Sequence, residues 1–245
     1  MVTIACVLNP SVDFDALYVY QLAAQVARHT TRQVRFVCLA PRSMPGIVTV
    51  RLEHEWPSWW AKMETYRLEG PVLFLDLDTV LVGSIDPLID ALDQVPGLLA
   101  LRDLGAGSTW IETGIVGWRD SMAGIYQQFA AHVSGFTRNG SAMVDQSGRQ
   151  WKSDGAWVRA YVEAERVPVT IAQEVFPGIY SYKYNVMGKA LPDGRLPEDA
   201  RIICFHGRPR PRDLMQERST APRWLVDAWH GVATGDKAME CQNMP

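Results

Sequence analysis

The stretch Pro71-Val72-Leu73-Phe74-Leu75 is a continuous apolar run closed at once by Asp76-Leu77-Asp78-Thr79, and no other feature limits the fold of this chain as much. A strand with one face in water alternates apolar and polar residues, whereas a run without alternation fits a central strand covered on both faces of an α/β sheet. Two carboxylates then stand two residues apart at the strand end. At that spacing an extended chain points both side chains the same way, so the pair can meet one hard cation. Open α/β sheets hold their ligands beyond such strand ends. The sequence therefore predicts an enzyme whose site includes Asp76 and Asp78.

The rest of the chain supplies the elements such a sheet needs. Of 245 residues, 47% are apolar, enough for a substantial core. Met1 to Leu8 lacks a positively charged leader and its apolar run stops at Asn9-Pro10, so a first strand is expected there, not a signal peptide. Ala16 to His29 has a recurrent apolar face and predicts a helix, and Val34 to Leu39 a second strand, completing a β-α-β unit. Val48 to Leu52 reads as a third strand and Trp59 to Leu68 as a helix leading into the aspartate strand. Leu98–Leu101 and Gly114–Trp118 are short strand candidates, and Asp120–His132 and Ala156–Glu165 read as helices. Residues 134–153, rich in Gly, Ser and polar side chains, read as a loop or mobile segment, and Arg201–Phe205 as a late strand. No apolar segment approaches the roughly 18 residues that span a bilayer. Cys6, Cys38, Cys204 and Cys241 lack paired metal-ligand spacing, which fits a reducing cytoplasm, that of a host cell if the chain is phage-encoded.

The Asp76/Asp78 pair alone supports three readings. It binds a divalent cation that bridges a nucleoside diphosphate; or Asp76 is a nucleophile and Asp78 a general acid, as in haloacid-dehalogenase-type phosphatases; or the two are a solvated strand end and a turn residue. The phosphatase motif normally lies on the first strand, whereas some 70 residues with a β-α-β unit precede this one. Far downstream, His206 ends an apolar strand and Gly207-Arg208-Pro209-Arg210-Pro211-Arg212 follows. Two carboxylates and an imidazole suit Mn²⁺ or Mg²⁺, and guanidinium groups suit a diphosphate.

Trp60-Ala61-Lys62, Phe74-Leu75-Asp76-Leu77-Asp78-Thr79-Val80-Leu81-Val82, Ile111-Glu112-Thr113-Gly114-Ile115 and Phe205-His206-Gly207-Arg208-Pro209 together resemble nucleotide-sugar glycosyltransferases of the A-type (GT-A) fold. The similarity is to the group of glycogenin and the bacterial lipopolysaccharide galactosyltransferases, with related small phage and bacterial transferases. It runs through roughly residues 2–230, and only the Asp-x-Asp and His-Gly blocks are specific. It implies an α/β fold: one Rossmann-like GT-A domain over residues 1–235 with a mixed, mainly parallel central sheet, a less regular C-terminal portion, and a flexible tail at 236–245.

The resemblance also implies roles. Asp76, Asp78 and His206 bind the metal, Mn²⁺ or Mg²⁺, with Asp76 also near the ribose. Lys62 contacts the donor and Asp103 holds donor-sugar hydroxyls, although the same residues would suit a solvated lysine and a turn aspartate. Asp154 matches an Asp-Gln pair beside the reacting carbon, but Gly155 stands in place of the glutamine, and Glu112 stands where asparagine is usual. No tryptophan follows the Arg-Pro block, and Arg208 or Arg210 replaces a lysine on the diphosphate. Asn9 and Asp13, after the first strand, are candidates for the nucleotide. Trp56, Trp59 and Trp60 would stack on a base or sugar, or else form core. Tyr182 and Lys183, after Phe176-Pro177-Gly178, are acceptor-side candidates.

The expected function is metal-dependent transfer of a sugar from a nucleoside-diphosphate donor, a uridine one, to a hydroxyl acceptor, with retention. An inverting enzyme would instead use Glu112, Asp103 or Asp154 as base. The alternatives are the phosphatase and a noncatalytic nucleotide-sugar-binding module. The acceptor stays open among saccharide, lipid-linked glycan, protein and modified nucleic-acid base. A net charge of -3 gives no general attraction to nucleic acid, although the Arg208–Arg212 cluster is a local basic patch. No integral membrane association is expected.

Overall fold

Alternate residues of the first strand enter two different cores. In β1 (Val2–Val7), Ile4 and Cys6 join one apolar cluster and Ala5 and Val7 the other. Helix α1 (Ala16–His29) is started by Asp15, whose carboxylate accepts from Leu17 N at 3.0 Å. It packs Tyr18, Leu22 and Val26 into the first cluster and returns the chain to β2 (Val34–Ala40). After β3 (Val48–Arg51), residues Ser58–Arg67 wind as 3₁₀ turns into β4 (Val72–Leu75). Every residue of β4 is buried: Leu73 and Leu75 face one cluster, Val72 and Phe74 the other. Each such side chain contributes about 1.5–3 kcal/mol by burial, which is why the run lacks alternation.

The computed structural model describes residues 1–9, 13–105, 109–187, 195–216 and 221–230; the expected tail lies outside them. Beyond β4 come β5 (Thr79–Leu81), α2 (Asp86–Ala91), β6 (Leu98–Arg102), β7 (Ile111–Trp118), α3 (Ala123–His132), β8 (Val133–Phe136), β9 (Met143–Asp145), β10 (Gln150–Trp151), α4 (Asp154–Ala164), β11 (Val169–Ile171), α5 (Ala172–Val175), β12 (Ile179–Ser181), β13 (Ile202–Cys204), α6 (Pro211–Gln216) and α7 (Arg223–His230). The central sheet has the order β11-β6-β7-β4-β1-β2-β3. It is mixed and mainly parallel, with β7 antiparallel to both β4 and β6.

Three features of this topology build the site. The strand order reverses at β1: β2 and β3 extend to one side and β4 lies on the other, which opens a crevice beyond the ends of β1 and β4. The β6–β7 register slips, Ala100 opposite Val116 but Leu101 opposite Glu112, so residues 113–115 bulge out of the β6 pairing while Ile115 stays opposite Leu75 at the end of β4. Finally, β5 leaves the central sheet and pairs antiparallel with β13, Thr79 opposite Cys204. Phe205 N then donates to Asp78 O at 3.1 Å, setting His206 beside the aspartates. Gly207 turns the chain at φ +78°, a conformation that favours glycine.

Two expectations need correction. Residues 134–153 form most of an antiparallel sheet, β10-β9-β8. Its tight turn is organised by Asp145, whose carboxylate accepts from Ser147 N, Arg149 N and Trp151 Nε1. Polar turn residues dominated the composition, and the pairing they permit leaves no periodic signal. The segment read as the helix Trp59–Leu68 is 3₁₀, and it buries Trp60, Ala61, Met63, Glu64, Thr65 and Tyr66 rather than one stripe. Among the described residues no helix is long and apolar enough to cross a membrane.

Candidate active site

Two adjoining cavities occupy the crevice. The larger, about 490 Å³, is walled by the post-β1 residues Asn9, Asp13 and Phe14, by Trp59, and by Lys152, Ser153 and Arg210. The smaller, about 210 Å³, is bounded by Leu101, Asp103, Glu112, Thr113 and Gly114. Lys62, Asp76, Asp78, Asp154 and His206 line both and so mark the junction.

The junction floor is a buried ion cluster. Lys62 Nζ lies 3.0 Å from Asp154 Oδ2 and 3.2 Å from Asp76 Oδ2. Thr113, brought in by the β7 bulge, donates its hydroxyl to Asp154 Oδ2 at 2.5 Å. Burial by itself would lower the Lys62 ammonium, but the Asp154 and Asp76 carboxylates outweigh it and hold it above the usual lysine range. Burial pushes Asp76 up, against the Lys62 charge. Burial and then the neighbouring Asp76 charge push Asp78 up as well, against Arg210. Asp76 N donates to Gly114 O at 2.9 Å, which fixes the aspartate's backbone against β7.

The rim is an arginine segment. Arg210 pairs with Asp78, lies 4.7 Å over the Phe14 ring and donates to Phe205 O at 3.3 Å. Arg208 bridges Asp13 at 2.6 Å and Asp213 at 2.8 Å, and Arg212 reaches Asp15 at 2.5 Å. This segment ties the far end of the chain to the loop after β1.

Not every expected residue takes part. Asn9 lines the larger cavity, but its amide donates to Trp56 O and Ser58 O, at 2.9 and 3.2 Å, and so fixes that loop. Trp56 and Trp60 are core, whereas Trp59 is 40% exposed on the cavity wall. Tyr182 is buried with its ring stacked on Phe205, and neither it nor the exposed Lys183 lines a cavity. Arg208 lines neither. Sequence reasoning missed Thr113, Phe14 and Lys152. Thr113 stands within the Ile111–Ile115 block but has no signal of its own, because a bulge has no period; Phe14, beside Asp13 after the first strand, stands next to a candidate for the nucleotide.

The charges that line the cavities suit a divalent cation. Asp13, Asp76, Asp78, Asp103, Glu112 and Asp154 line the cavities, against Lys62, Lys152 and Arg210. His206 is held below the usual histidine range, by burial first and then by the Lys183 charge. The crevice is thus short of positive charge, and two upshifted carboxylates beside a neutral imidazole fit a hard or borderline cation. Among the described residues no three such side chains stand together as a formed metal cluster: Lys62 and Arg210 engage Asp76 and Asp78, and His206 Nε2 lies 2.6 Å from Ser181 Oγ.

No family model matches the sequence, and no curated protein matches it. Solved structures do match in fold. The glycosyltransferase GlyE of Streptococcus pneumoniae TIGR4 aligns with a TM-score of 0.64 at 13% identity, over 96% of this chain and 60% of that one. The galactosyltransferase LgtC, solved with donor and acceptor sugar analogs, aligns at 0.55 and 14% identity over 98% and 100%. The bifunctional glycosyltransferase WbbM aligns at 0.58 and 14% over 98% and 50%. The chain thus spans less than two thirds of GlyE and WbbM and all of LgtC. What these similarities give is the GT-A glycosyltransferase fold.

Proposed function

We propose that this chain is a metal-dependent glycosyltransferase, taking a sugar from a nucleoside-diphosphate donor, a uridine one, to a hydroxyl acceptor with retention. The observation that carries the reading is the pair of cavities meeting at Asp76 and Asp78. The larger has the size and the aromatic and arginine walls for a nucleoside diphosphate. The smaller has the size and the carboxylate lining for one sugar ring. The bond between them would then lie at the junction.

Asp76, Asp78 and His206 would hold Mn²⁺ or Mg²⁺, which when bound offsets the negative charge of the leaving diphosphate. Without added positive charge, this acid-rich crevice would repel the donor. Arg210 supplies a guanidinium to the diphosphate side, the role for which Arg208 stands too far out. Lys62 neutralises Asp76 and Asp154, so the floor keeps its shape while charge develops above it. Asp103 orients donor-sugar hydroxyls through its second oxygen, and Asp154, held by Lys62 and Thr113, shapes the floor beneath the reacting carbon. The catalytic unit is residues 1–235, working in the cytoplasm.

Thermal unfolding with a panel of nucleotide sugars, with and without Mn²⁺, tests this. A uridine diphosphate sugar at a hundred times its Kd should add about 2.7 kcal/mol of stability, and only with the metal. No metal-dependent stabilisation by any uridine or guanosine diphosphate sugar would sink the reading. Binding without donor cleavage would favour the noncatalytic module, and a phosphoenzyme lost in Asp76→Asn the phosphatase.

A further inference from the structure

Five carboxylates line the smaller cavity; Asp76 and Asp78 are the proposed cation ligands, and the other three differ in what holds them. Asp154 is buried and committed, to Lys62 Nζ at 3.0 Å and Thr113 Oγ1 at 2.5 Å. Asp103 closes its own turn, accepting from Gly105 N at 2.9 Å. Glu112 is exposed on the cavity wall, and no described residue gives its carboxylate a hydrogen bond or an ion pair. Among the described residues it is the one of these three acids that can approach a substrate without abandoning a partner. For Asp154 to do so would strand a buried ammonium, which is costly.

Two backbone features aim Glu112. The register slip between Ala100/Val116 and Leu101/Glu112 lifts the start of β7 over the site. Across from it, Gly155 in the first turn of α4 has no side chain. A Cβ there would stand 3.5 Å from Glu112 Oε2, in ordinary contact, so the carboxylate lies against the first turn of α4. Glu112 lines only the smaller cavity and Arg210 only the larger, so a carboxylate and a guanidinium lie on different sides of the junction.

Resting on the function proposed above, we infer that Glu112 is the nucleophile of the transfer. A Glu112 carboxylate oxygen bonds to the anomeric carbon as the bond from that carbon to the diphosphate oxygen breaks, the electron pair leaving with the diphosphate toward Arg210. The acceptor hydroxyl oxygen then bonds to the same carbon, its proton passes to a phosphate oxygen of the diphosphate still in the larger cavity, and the Glu112 carboxylate departs with its electron pair. Two inversions at one carbon give retention.

The test compares wild type, Glu112→Ala and Glu112→Gln with Mn²⁺ and a nucleotide sugar that wild type cleaves, each with and without sodium azide. Both variants should keep metal-dependent donor binding by thermal shift while turnover falls on the order of 10³-fold. Azide should restore donor cleavage in Glu112→Ala and yield a glycosyl azide inverted relative to the donor. A 2-fluoro donor should add one fluoroglycosyl mass to wild type and none to Glu112→Gln. Turnover of Glu112→Ala within a factor of a few of wild type, restored cleavage without glycosyl azide, or an inverted wild-type product each overturns the inference and leaves the transferase standing. A wild type that cleaves no nucleotide sugar overturns both.

Discussion

The floor and the rim of the crevice are both made of ion pairs between distant parts of the chain, yet they differ in what water does to them. On the floor, the side chains of Lys62 and Asp154 are 16% and 8% exposed, and Asp76 is 30% exposed. On the rim, Arg208 is 64% exposed and its partners Asp13 and Asp213 about a third. A buried charge that loses its partner is left in a poorly solvating medium, so the floor holds only as a complete set. An exposed pair exchanges its partner for water at little cost. The floor is therefore suited to fixing geometry, and the rim to letting go of one partner and taking another. Arg210 stands between them, 17% exposed, one end of the rim segment on Asp78 of the floor.

Removing the centre of the floor should have the largest effect. Lys62→Ala leaves Asp76 and Asp154 facing each other without a cation and should cost about 3–5 kcal/mol in urea unfolding. A loss as small as that of a surface pair would end the distinction drawn here. Arg210→Ala should cost less, about 1–3 kcal/mol, since Asp78 loses one strong partner but keeps access to the cavity. Added Mn²⁺ should recover more thermal stability in that variant than in wild type. Equal recovery would mean that Arg210 and a cation do not compete for Asp78. Smallest of all, Arg208→Ala should change stability by at most about 1 kcal/mol, an effect that high salt erases. A salt-independent loss would place Arg208 with the floor.

The parts of the fold that were legible are those whose signal is local. The unbroken apolar run of β4, the face of α1 and the strands β1 and β2 follow from side-chain period and burial, which neighbouring residues set together. The positions of Asp76, Asp78 and His206 just beyond strands were legible from the apolar runs that precede them. Tyr182 was misplaced because an aromatic after Pro-Gly reads as surface, and only its stacking on Phe205 makes it core. The sheet within 134–153 was missed because its strands are two to four residues long and are held by the Asp145 turn. Glu112 was visible as a departure from the usual residue. Nothing in its neighbourhood told that Asp154 is committed while Glu112 has no hydrogen-bond or ion-pair partner among the described residues.

By itself, the sequence determined the strands β1, β2 and β4 and the helix α1, and that carboxylates, an imidazole and arginines follow apolar strands, because period, turn chemistry and apolar burial act over a few residues. The tertiary structure alone decided which of those charges meet. The β5–β13 pairing brings His206 to Asp78, the β7 bulge carries Thr113 to Asp154, and the start of α4 lies against Glu112 at Gly155. Register and bulges are settled between strands far apart in the chain, and whether a carboxylate is paired or left to act depends on them.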